Sequence, residues 1–208
     1  GVLLLDEPLS NLDAKLREQA RSWLKEFQSG LGLTTIFVTH DQEEALALSD
    51  RIIVMNEGRI EQSGAPEEIY RDPETTFVAS FLGSANLLPG QVVGRRGAHT
   101  EVRLSGDGPT LAVRDDAVGG AVLVMARPED IEIGVAGEES SALSIAGQLT
   151  SRAFLGSSYR YVVRCGGHDV VVSSRQRWEV GPVRLRVHAD RCRLFPADAA
   201  DPTSTGIP

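Results

Sequence analysis

The amino-acid sequence predicts an α/β domain followed by a small all-β domain. In the first part of the 208-residue chain, short apolar runs alternate with segments of helical periodicity, which is typical of βαβ units. After Gly83 the helical periodicity largely disappears, and short alternating segments separated by glycine turns replace it. This change predicts a domain boundary at residues 82 and 83 and an antiparallel barrel or sandwich beyond it.

The composition excludes several classes of protein. Of the side chains, 41% are hydrophobic, which suits a folded chain with one or two cores. No apolar stretch approaches the about 20 residues that a membrane-spanning helix requires. The net charge of −8 argues against a nucleic-acid partner, since such binders carry a basic surface. Cys165 and Cys192 are the only cysteines, and we expect two reduced thiols rather than a disulfide framework or a zinc site.

A βαβ unit is predicted at the start of the chain. Val2 to Leu5 is a short, wholly apolar run, which indicates a strand buried on both faces of a parallel sheet. The run from Thr34 to Thr39 indicates a second buried strand of the same kind. Because a strand, a crossover helix and a strand form a right-handed unit, the two strands should be parallel neighbours.

The crossover helix is predicted from Ala14 to Gln28. Asp13 is a suitable N-cap, and Gly30 and Gly32 should end the helix. Its apolar side chains recur at helical spacing and are expected to share one face: Leu16, Ala20, Trp23, Leu24 and Phe27.

Four more elements complete the predicted first domain. A short amphipathic helix runs from Asp41 to Leu48, and a hairpin turns at Asn56-Glu57-Gly58. Another helix begins at Pro66, since proline favours a first helical turn, and a last helix covers Thr76 to Leu82. The strands predicted in the second domain are Val92 to Val93, Thr100 to Leu104, Ala121 to Ala126, Tyr159 to Cys165, Asp169 to Val172 and Val183 to Val187.

Two adjacent carboxylates, Asp6 and Glu7, follow the first strand directly. Ligands of α/β sheets bind at the carboxyl ends of the strands. Phosphoryl-transfer sites need an acidic ligand for Mg²⁺ and a group that orients or deprotonates the attacking water. Asp6 is therefore a candidate metal ligand and Glu7 a candidate base. The alternative is an acidic pair that only caps the next helix.

A third candidate, His40, follows the second strand. If the two strands are neighbours, His40 lies at the same sheet edge as Asp6 and Glu7. A histidine in this position can donate a hydrogen bond to a phosphate oxygen. The three residues together favour a phosphoryl-transfer site over a cap.

Several stretches resemble a known family. VLLLDEP at residues 2–8, SNLD at residues 10–13 and IFVTHDQEEALALSDRIIVMNEGRIEQSGAPEEIYRDP at residues 36–73 are similar to the ATP-binding subunits of bacterial ABC importers. The branch includes maltose, polyamine, ferric-iron and sulfate transporters. FVASFLGSANLLPG at 77–90, ARPEDI at 126–131, AGQLTSRAFLGSSYRYVV at 146–163 and RLFP at 193–196 resemble the accessory TOBE-type β domain of that branch.

The resemblance implies a role for each candidate residue. The first motif corresponds to the Walker B strand, so Asp6 would be the Mg²⁺ carboxylate and Glu7 the catalytic carboxylate. Ser10 to Asp13 correspond to the D-loop, which contacts the opposite subunit of an ATP-sandwich dimer. His40 corresponds to the switch histidine that contacts the γ-phosphate of ATP.

The resemblance also implies a domain plan. Residues 1–82 would be the C-terminal part of an ABC-type P-loop NTPase domain, and residues 83–196 an OB-like accessory β domain. A disordered tail is expected at residues 197–208, which lack core-forming side chains.

The implied activity is ATP hydrolysis that energises solute import. The subunit would be cytoplasmic and peripheral on the inner face of the cell membrane. It would dimerise through both domains and act with transmembrane permease subunits and, indirectly, a solute-binding protein. The motif FLGSANLLPG favours polyamine or ferric iron over sugar as the solute.

A glycine-rich phosphate loop of the form G-x-x-x-x-G-K-[ST] does not occur in the 208 residues. We therefore expect this chain to be the C-terminal part of a longer polypeptide, inactive alone, in which residues 1–82 fold poorly and the β domain is stable. A non-catalytic regulatory or dimerisation module that uses only the β domain is the alternative.

Overall fold

The computed structural model describes residues 1–105, 108–115, 119–135 and 144–199. The chain forms two compact units, Gly1–Glu74 and Thr75–Pro208. The predicted order of an α/β part followed by an all-β part is confirmed. In the described part of the chain, no helix has both the length and the apolar composition that crossing a membrane requires.

The α/β unit begins with the predicted βαβ arrangement. Its elements are β1 (Val2–Asp6), α1 (Ala14–Leu31), β2 (Thr34–Val38), α2 (Gln42–Leu48), β3 (Ile52–Asn56), β4 (Arg59–Gly64) and α3 (Pro66–Arg71). Strands β1 and β2 are parallel, with Leu4 opposite Ile36, and β3 and β4 form the predicted hairpin. The Asp13 side chain caps α1, and Gly32 ends that helix with a left-handed backbone, φ 60°.

The prediction that β1 and β2 are buried on both faces is wrong. Val2 and Ile36 are 67% and 52% exposed. On the opposite face, Leu5 and Phe37 pack against a small core that contains Leu24 of α1. The two strands form a two-stranded sheet among the described residues, so α1 covers one face and the other stays open.

The predicted apolar face of α1 is only partly buried. Leu24 lies in the core and Ala20 packs beside it. Trp23 is 60% exposed and stacks on Phe27, with ring centroids 5.1 Å apart. Leu16 is exposed as well. These side chains lie on the flank of the helix rather than on the side that meets the strands.

The β unit contains one short α-helix, three 3₁₀ turns and two antiparallel sheets among its described residues. Its elements are α4 (Thr76–Phe81), β5 (Asn86–Arg96), β6 (His99–Leu104), β7 (Thr110–Val113), β8 (Ala121–Ala126), β9 (Ile131–Val135), β10 (Ser144–Phe154), β11 (Tyr159–Cys165), β12 (His168–Ser174), β13 (Gly181–Val187) and β14 (Arg193–Pro196). The strand orders are β12-β11-β10-β13-β9 and β14-β8-β5-β6-β7.

The two sheets share one hydrophobic core. Tyr161, Leu149 and Leu185 from one sheet and Val102 and Leu111 from the other are among its fully buried side chains. Tyr161 also donates its hydroxyl to the carbonyl oxygen of Gln176 at 2.9 Å. All six predicted strands of this region are present, in most cases extended by a few residues.

Four strands of the β unit have no counterpart in the sequence prediction: β7, β9, β10 and β14. In the longest, β10, the pairing with β11 shifts its register between Leu149 and Ser151. Such a bulge interrupts the alternation of apolar and polar residues from which strands are predicted.

Helix α4 belongs to the β unit, so the boundary between the compact units falls earlier than residues 82 and 83. Ala79 of α4 is buried against Met125 and Phe195. Arg127 donates a hydrogen bond from Nη1 to the carbonyl oxygen of Ala79 at 2.8 Å. Of the predicted tail, residues 197–199 form a short 3₁₀ turn, and residues 200–208 lie outside the described part.

Candidate functional site

The candidate site lies where β1 and β2 end. Asp6 is paired with Val38 in the parallel register. The next residue, Glu7, donates its backbone N–H to the carbonyl oxygen of Val38 at 2.8 Å. Glu7 has φ 44°, in the left-handed region that few non-glycine residues adopt. The chain therefore turns sharply at Glu7, directly after the strand.

The structure brings His40 and Glu7 together. His40 Nδ1 lies 3.0 Å from Glu7 Oε1, within hydrogen-bond distance, although the two residues are far apart in the sequence. Both side chains are solvent-exposed. The hydrogen bond with Glu7, and then the charge of that carboxylate, raise the pKa of His40 above its ordinary value. The contact leaves Nε2 of the ring available to a further hydrogen-bond partner.

Ser10 lies beside this pair, and Asp13 has a structural contact. The Ser10 hydroxyl donates to the carbonyl oxygen of Glu7 at 3.0 Å, which fixes the turn after β1. Leu9 anchors the same turn in the core of the α/β unit. Asp13 Oδ1 accepts a hydrogen bond from the backbone N–H of Leu16 at 2.9 Å and thus caps α1.

A buried carboxylate, Glu44, supports the loop that carries His40. Glu44 is only 3% exposed, and Thr39 donates its hydroxyl to Glu44 Oε2 at 2.7 Å. The Thr39 hydroxyl in turn accepts the backbone N–H of Asp41 at 3.0 Å. Asp41 Oδ1 caps α2 by accepting the backbone N–H groups of Glu43 and Glu44. The residues on both sides of His40 are therefore held by hydrogen bonds.

Arg17 connects the start of α1 to this loop. Its guanidinium lies 3.7 Å from Asp41 Oδ2 and 3.8 Å from Glu44 Oε1. Its Nη2 donates to the carbonyl oxygen of Leu12 at 3.0 Å. Neither a role for Arg17 in the site nor a supporting role for Glu44 was predicted from the sequence. Both belong to charged helical patterns, which usually indicate a solvated face.

These groups line a small cleft of about 40 Å³. Its walls contain Glu7, Ser10 and His40 from the predicted site and Thr39 from the end of β2. The remaining lining residues are Arg17, Asp41 and Glu44. Asp6 and Asp13, in contrast, do not line it. The cleft offers a carboxylate base and a histidine donor next to each other, which is the combination needed to activate water and bind a phosphate oxygen.

The site offers one protein ligand for Mg²⁺, the Asp6 carboxylate. The side chain of Asp6 is exposed at the end of β1 and is free to bind a cation. The described residues contain no group of three or more histidine, cysteine or acidic side chains placed to hold a metal. Mg²⁺ in nucleotide sites takes one or two carboxylates together with waters and phosphate oxygens. Asp6 therefore suits a metal that is held partly by water and by a phosphate ligand.

Comparison with known proteins identifies a domain family and several relatives. Residues 124–195 match the TOBE domain family. The Fe(3+) ions import ATP-binding protein FbpC of Rhizobium etli is 47% identical over 162 residues, which cover 78% of this chain and 44% of that protein. The spermidine/putrescine import ATP-binding protein PotA of Rubrobacter xylanophilus is 44% identical over 179 residues, 84% of this chain and 46% of that protein.

A longer match is FbpC of Fusobacterium nucleatum, 37% identical over 215 residues, which cover 99% of this chain and 56% of that protein. The solved structure of the cytoplasmic molybdate-binding protein ModG has 13% sequence identity and a TM-score of 0.46, with 52% of this chain and 94% of that chain covered. The chain spans about half the length of the curated relatives that it matches. It is therefore related by sequence to the ATP-binding subunits of ABC importers, and it includes a TOBE domain.

Proposed function

We propose that this chain is part of an ATP-binding and ATP-hydrolysing subunit that energises solute import through an ABC transporter. The observation that carries the proposal is the 3.0 Å contact between His40 Nδ1 and Glu7 Oε1 at the adjacent ends of two parallel strands. A carboxylate that can act on water and a histidine that can bind a phosphate oxygen lie side by side at this edge, as a phosphoryl-transfer site can use them. The identity with import ATP-binding proteins supports the same assignment.

Each site residue has a proposed task. Glu7 orients and deprotonates the water that attacks the γ-phosphate of ATP. His40 uses Nε2 to donate a hydrogen bond to a γ-phosphate oxygen, while Glu7 holds the ring at Nδ1. Ser10 and Asp13 contact the nucleotide site from the opposite subunit of a homodimer. Asp6 would hold Mg²⁺, which supplies positive charge to the phosphates when bound.

The hydrogen bonds around Glu44 prepare His40 for this task. Thr39 and Asp41 flank His40 and are both fixed, directly or through each other, by the Glu44 carboxylate. Less conformational freedom is therefore lost when His40 meets a phosphate. The supporting group is buried, so solvent does not compete with it.

The proposed partners follow from the relatives. Two copies form a homodimer through the ATPase and β domains. The dimer acts on permease subunits at the cytoplasmic face of the membrane, and a solute-binding protein delivers the solute to these subunits at the opposite face. The named relatives import ferric iron or polyamines, and we propose that the solute belongs to one of these two classes.

A chimaera tests the proposal. Residues 1–208 would replace the matching part of FbpC from Rhizobium etli, which supplies the remainder of that subunit. The chimaera is expected to hydrolyse ATP. Glu7→Gln should lower kcat by about 10² to 10⁴, the usual loss of a general base, while ATP binding is retained. The 208-residue chain alone is expected not to hydrolyse ATP, because it has no phosphate-binding loop.

Glu43→Gln is the matched control. Glu43 is an exposed carboxylate on α2 that pairs with Arg21 at 3.3 Å, outside the cleft. This variant should hydrolyse ATP at the unmodified rate. A Glu7→Gln chimaera with unmodified kcat would refute the assignment of Glu7. A folded chimaera that dimerises but does not hydrolyse ATP would favour a non-catalytic module.

A further inference from the structure

The β unit contains a cavity of about 270 Å³ that the proposed ATPase role does not use. We call it the β cavity. Its walls come from strands β5, β6 and β10 to β13, from the turn between β11 and β12, and from Ser105, Gly108 and Pro109 between β6 and β7. Leu88, Leu104 and Val170 form a buried apolar floor. A ligand that enters the β cavity therefore places an apolar group against these side chains.

The β cavity has a cationic side. Arg184 of β13 lines it and donates a hydrogen bond from Nε to the hydroxyl of Ser144 at 2.9 Å. His168 and Ser105 also line the cavity and add polar groups. Among the lining residues that the structure describes there is no carboxylate. Arg184 can therefore pair with an anionic group at this side of the cavity.

Cys165 adds no charge to the β cavity. Its thiol is buried at the cavity wall, and burial raises its pKa to about 11. The side chain is therefore neutral near pH 7 and behaves as part of the apolar wall. Arg184 is left as the fixed charge among the described lining residues.

We propose that the β cavity binds a small organic monocarboxylate, with the carboxylate at Arg184 and Ser144 and an apolar body against the floor. Arginine is the side chain best suited to a carboxylate, because its N–H groups match the two oxygens. The volume lies just below the about 300 Å³ of the smallest drug-binding pockets, which favours a ligand of few atoms. An inorganic anion has no apolar surface to bury on Leu88 and Leu104.

Calorimetric titration of the 208-residue chain with hexanoate tests the proposal. We expect saturable binding with a Kd on the order of 1 mM, which is reasonable for so small a ligand. From butyrate to hexanoate, each added CH₂ should tighten binding about fourfold until the cavity is filled. Hexanol, hexylamine and sulfate should each bind at least about tenfold more weakly, since each lacks the charge or the apolar body.

Two arginine variants provide the matched comparison. Arg184→Gln should weaken hexanoate binding by about tenfold or more, because a charge-assisted hydrogen bond is lost. Arg186→Gln, on the same strand, should leave binding unchanged, since Arg186 is exposed, lies 3.7 Å from Glu132 and does not line the cavity. Amide chemical shifts should move for residues that line the cavity.

Several outcomes would overturn the proposal. These are the absence of saturation at about 10 mM hexanoate, equal binding of sulfate or hexylamine, an affinity that does not change with chain length, and equal effects of the two arginine variants. The chain-length series uses the unmodified protein, so it remains decisive even if Arg184→Gln fails to fold. None of these results depends on ATP hydrolysis.

Discussion

Replacing Asn86 by alanine is expected to destabilise the β unit by about 3 kcal/mol. Asn86 is 6% exposed and links strands of both sheets. Its Nδ2 donates to the carbonyl oxygens of Ala126 at 3.2 Å and Val171 at 2.9 Å. Its Oδ1 accepts the backbone N–H of Val171 at 2.7 Å.

The magnitude follows from these three hydrogen bonds. A neutral hydrogen bond contributes about 1 kcal/mol net, so three give about 3 kcal/mol. Leaving the buried N–H of Val171 unpaired costs about 1 to 3 kcal/mol, which is of the same size as the loss of its bond. The figure of about 3 kcal/mol covers all three bonds and already includes the loss at the Val171 N–H, so the second figure is not added.

Urea unfolding followed by tryptophan fluorescence measures the effect. Trp178 packs against the core of the β unit and donates its backbone N–H to the Tyr161 hydroxyl at 2.9 Å. Trp23→Phe in all proteins removes the signal of the α/β unit. The midpoint should fall with the slope unchanged, since the same surface is exposed on unfolding.

Gln91→Ala is the control for this prediction. Gln91 lies on the same strand as Asn86, and its side chain is exposed. Its replacement should change stability by less than about 0.5 kcal/mol. A loss below about 1 kcal/mol for Asn86→Ala would refute the view that this side chain joins the two sheets.

Three further predictions concern the α/β unit. The pKa of His40 in an NMR titration should lie above its ordinary value, and Glu7→Gln should lower it. The Glu7 carboxylate stabilises the protonated ring at low pH, and this stabilisation is lost as the pH rises through the raised pKa. An unchanged pKa in the Glu7→Gln variant would contradict the contact. Amide exchange should be faster in Thr34–Val38 than in Tyr159–Val163, because one face of the two-stranded sheet is open; equal protection would refute this. Glu44→Ala should destabilise the α/β unit by about 1 to 3 kcal/mol in urea unfolding, since the half-buried Thr39 hydroxyl and the Arg17 guanidinium lose their carboxylate partner. A neutral effect would contradict the supporting role.

Local signals in the sequence predicted the elements of the α/β unit well. Asp13 marks the start of α1 and Gly32 its end, although Gly30, also predicted to end the helix, lies within it. Pro66 stands in the first turn of α3. Glu57 and Gly58 both have positive φ, as the tight turn between β3 and β4 requires. Each of these signals acts through the backbone of its own segment, so no tertiary contact is needed to interpret it.

Burial was predicted less well, because it depends on which elements cover a surface. Val2 and Ile36 are apolar and lie in a parallel sheet, yet their face is open in this unit. Trp23 lies on the apolar side of α1 but outside its contact with the strands. An apolar pattern indicates that a face can be buried, but it does not identify which element packs against that face.

The candidate site was predicted in part for a similar reason. The topology of a βαβ unit places Glu7 and His40 at one sheet edge, since Glu7 directly follows β1 and His40 lies two residues after the end of β2. The supporting groups Arg17 and Glu44 lie within helices, where charged residues are common. Their roles depend on how α1 and α2 pack, which a single sequence does not indicate.

A double-mutant cycle between Glu7 and His40 in the FbpC chimaera tests the central claim most directly. If the two side chains act together on one phosphoryl-transfer step, Glu7→Gln and His40→Ala each lower kcat about 10²-fold or more, and the double variant is no worse than the poorer single variant within about threefold. If the two losses multiply in the double variant, or if His40→Ala hydrolyses ATP at the unmodified rate, Glu7 and His40 do not form one catalytic unit.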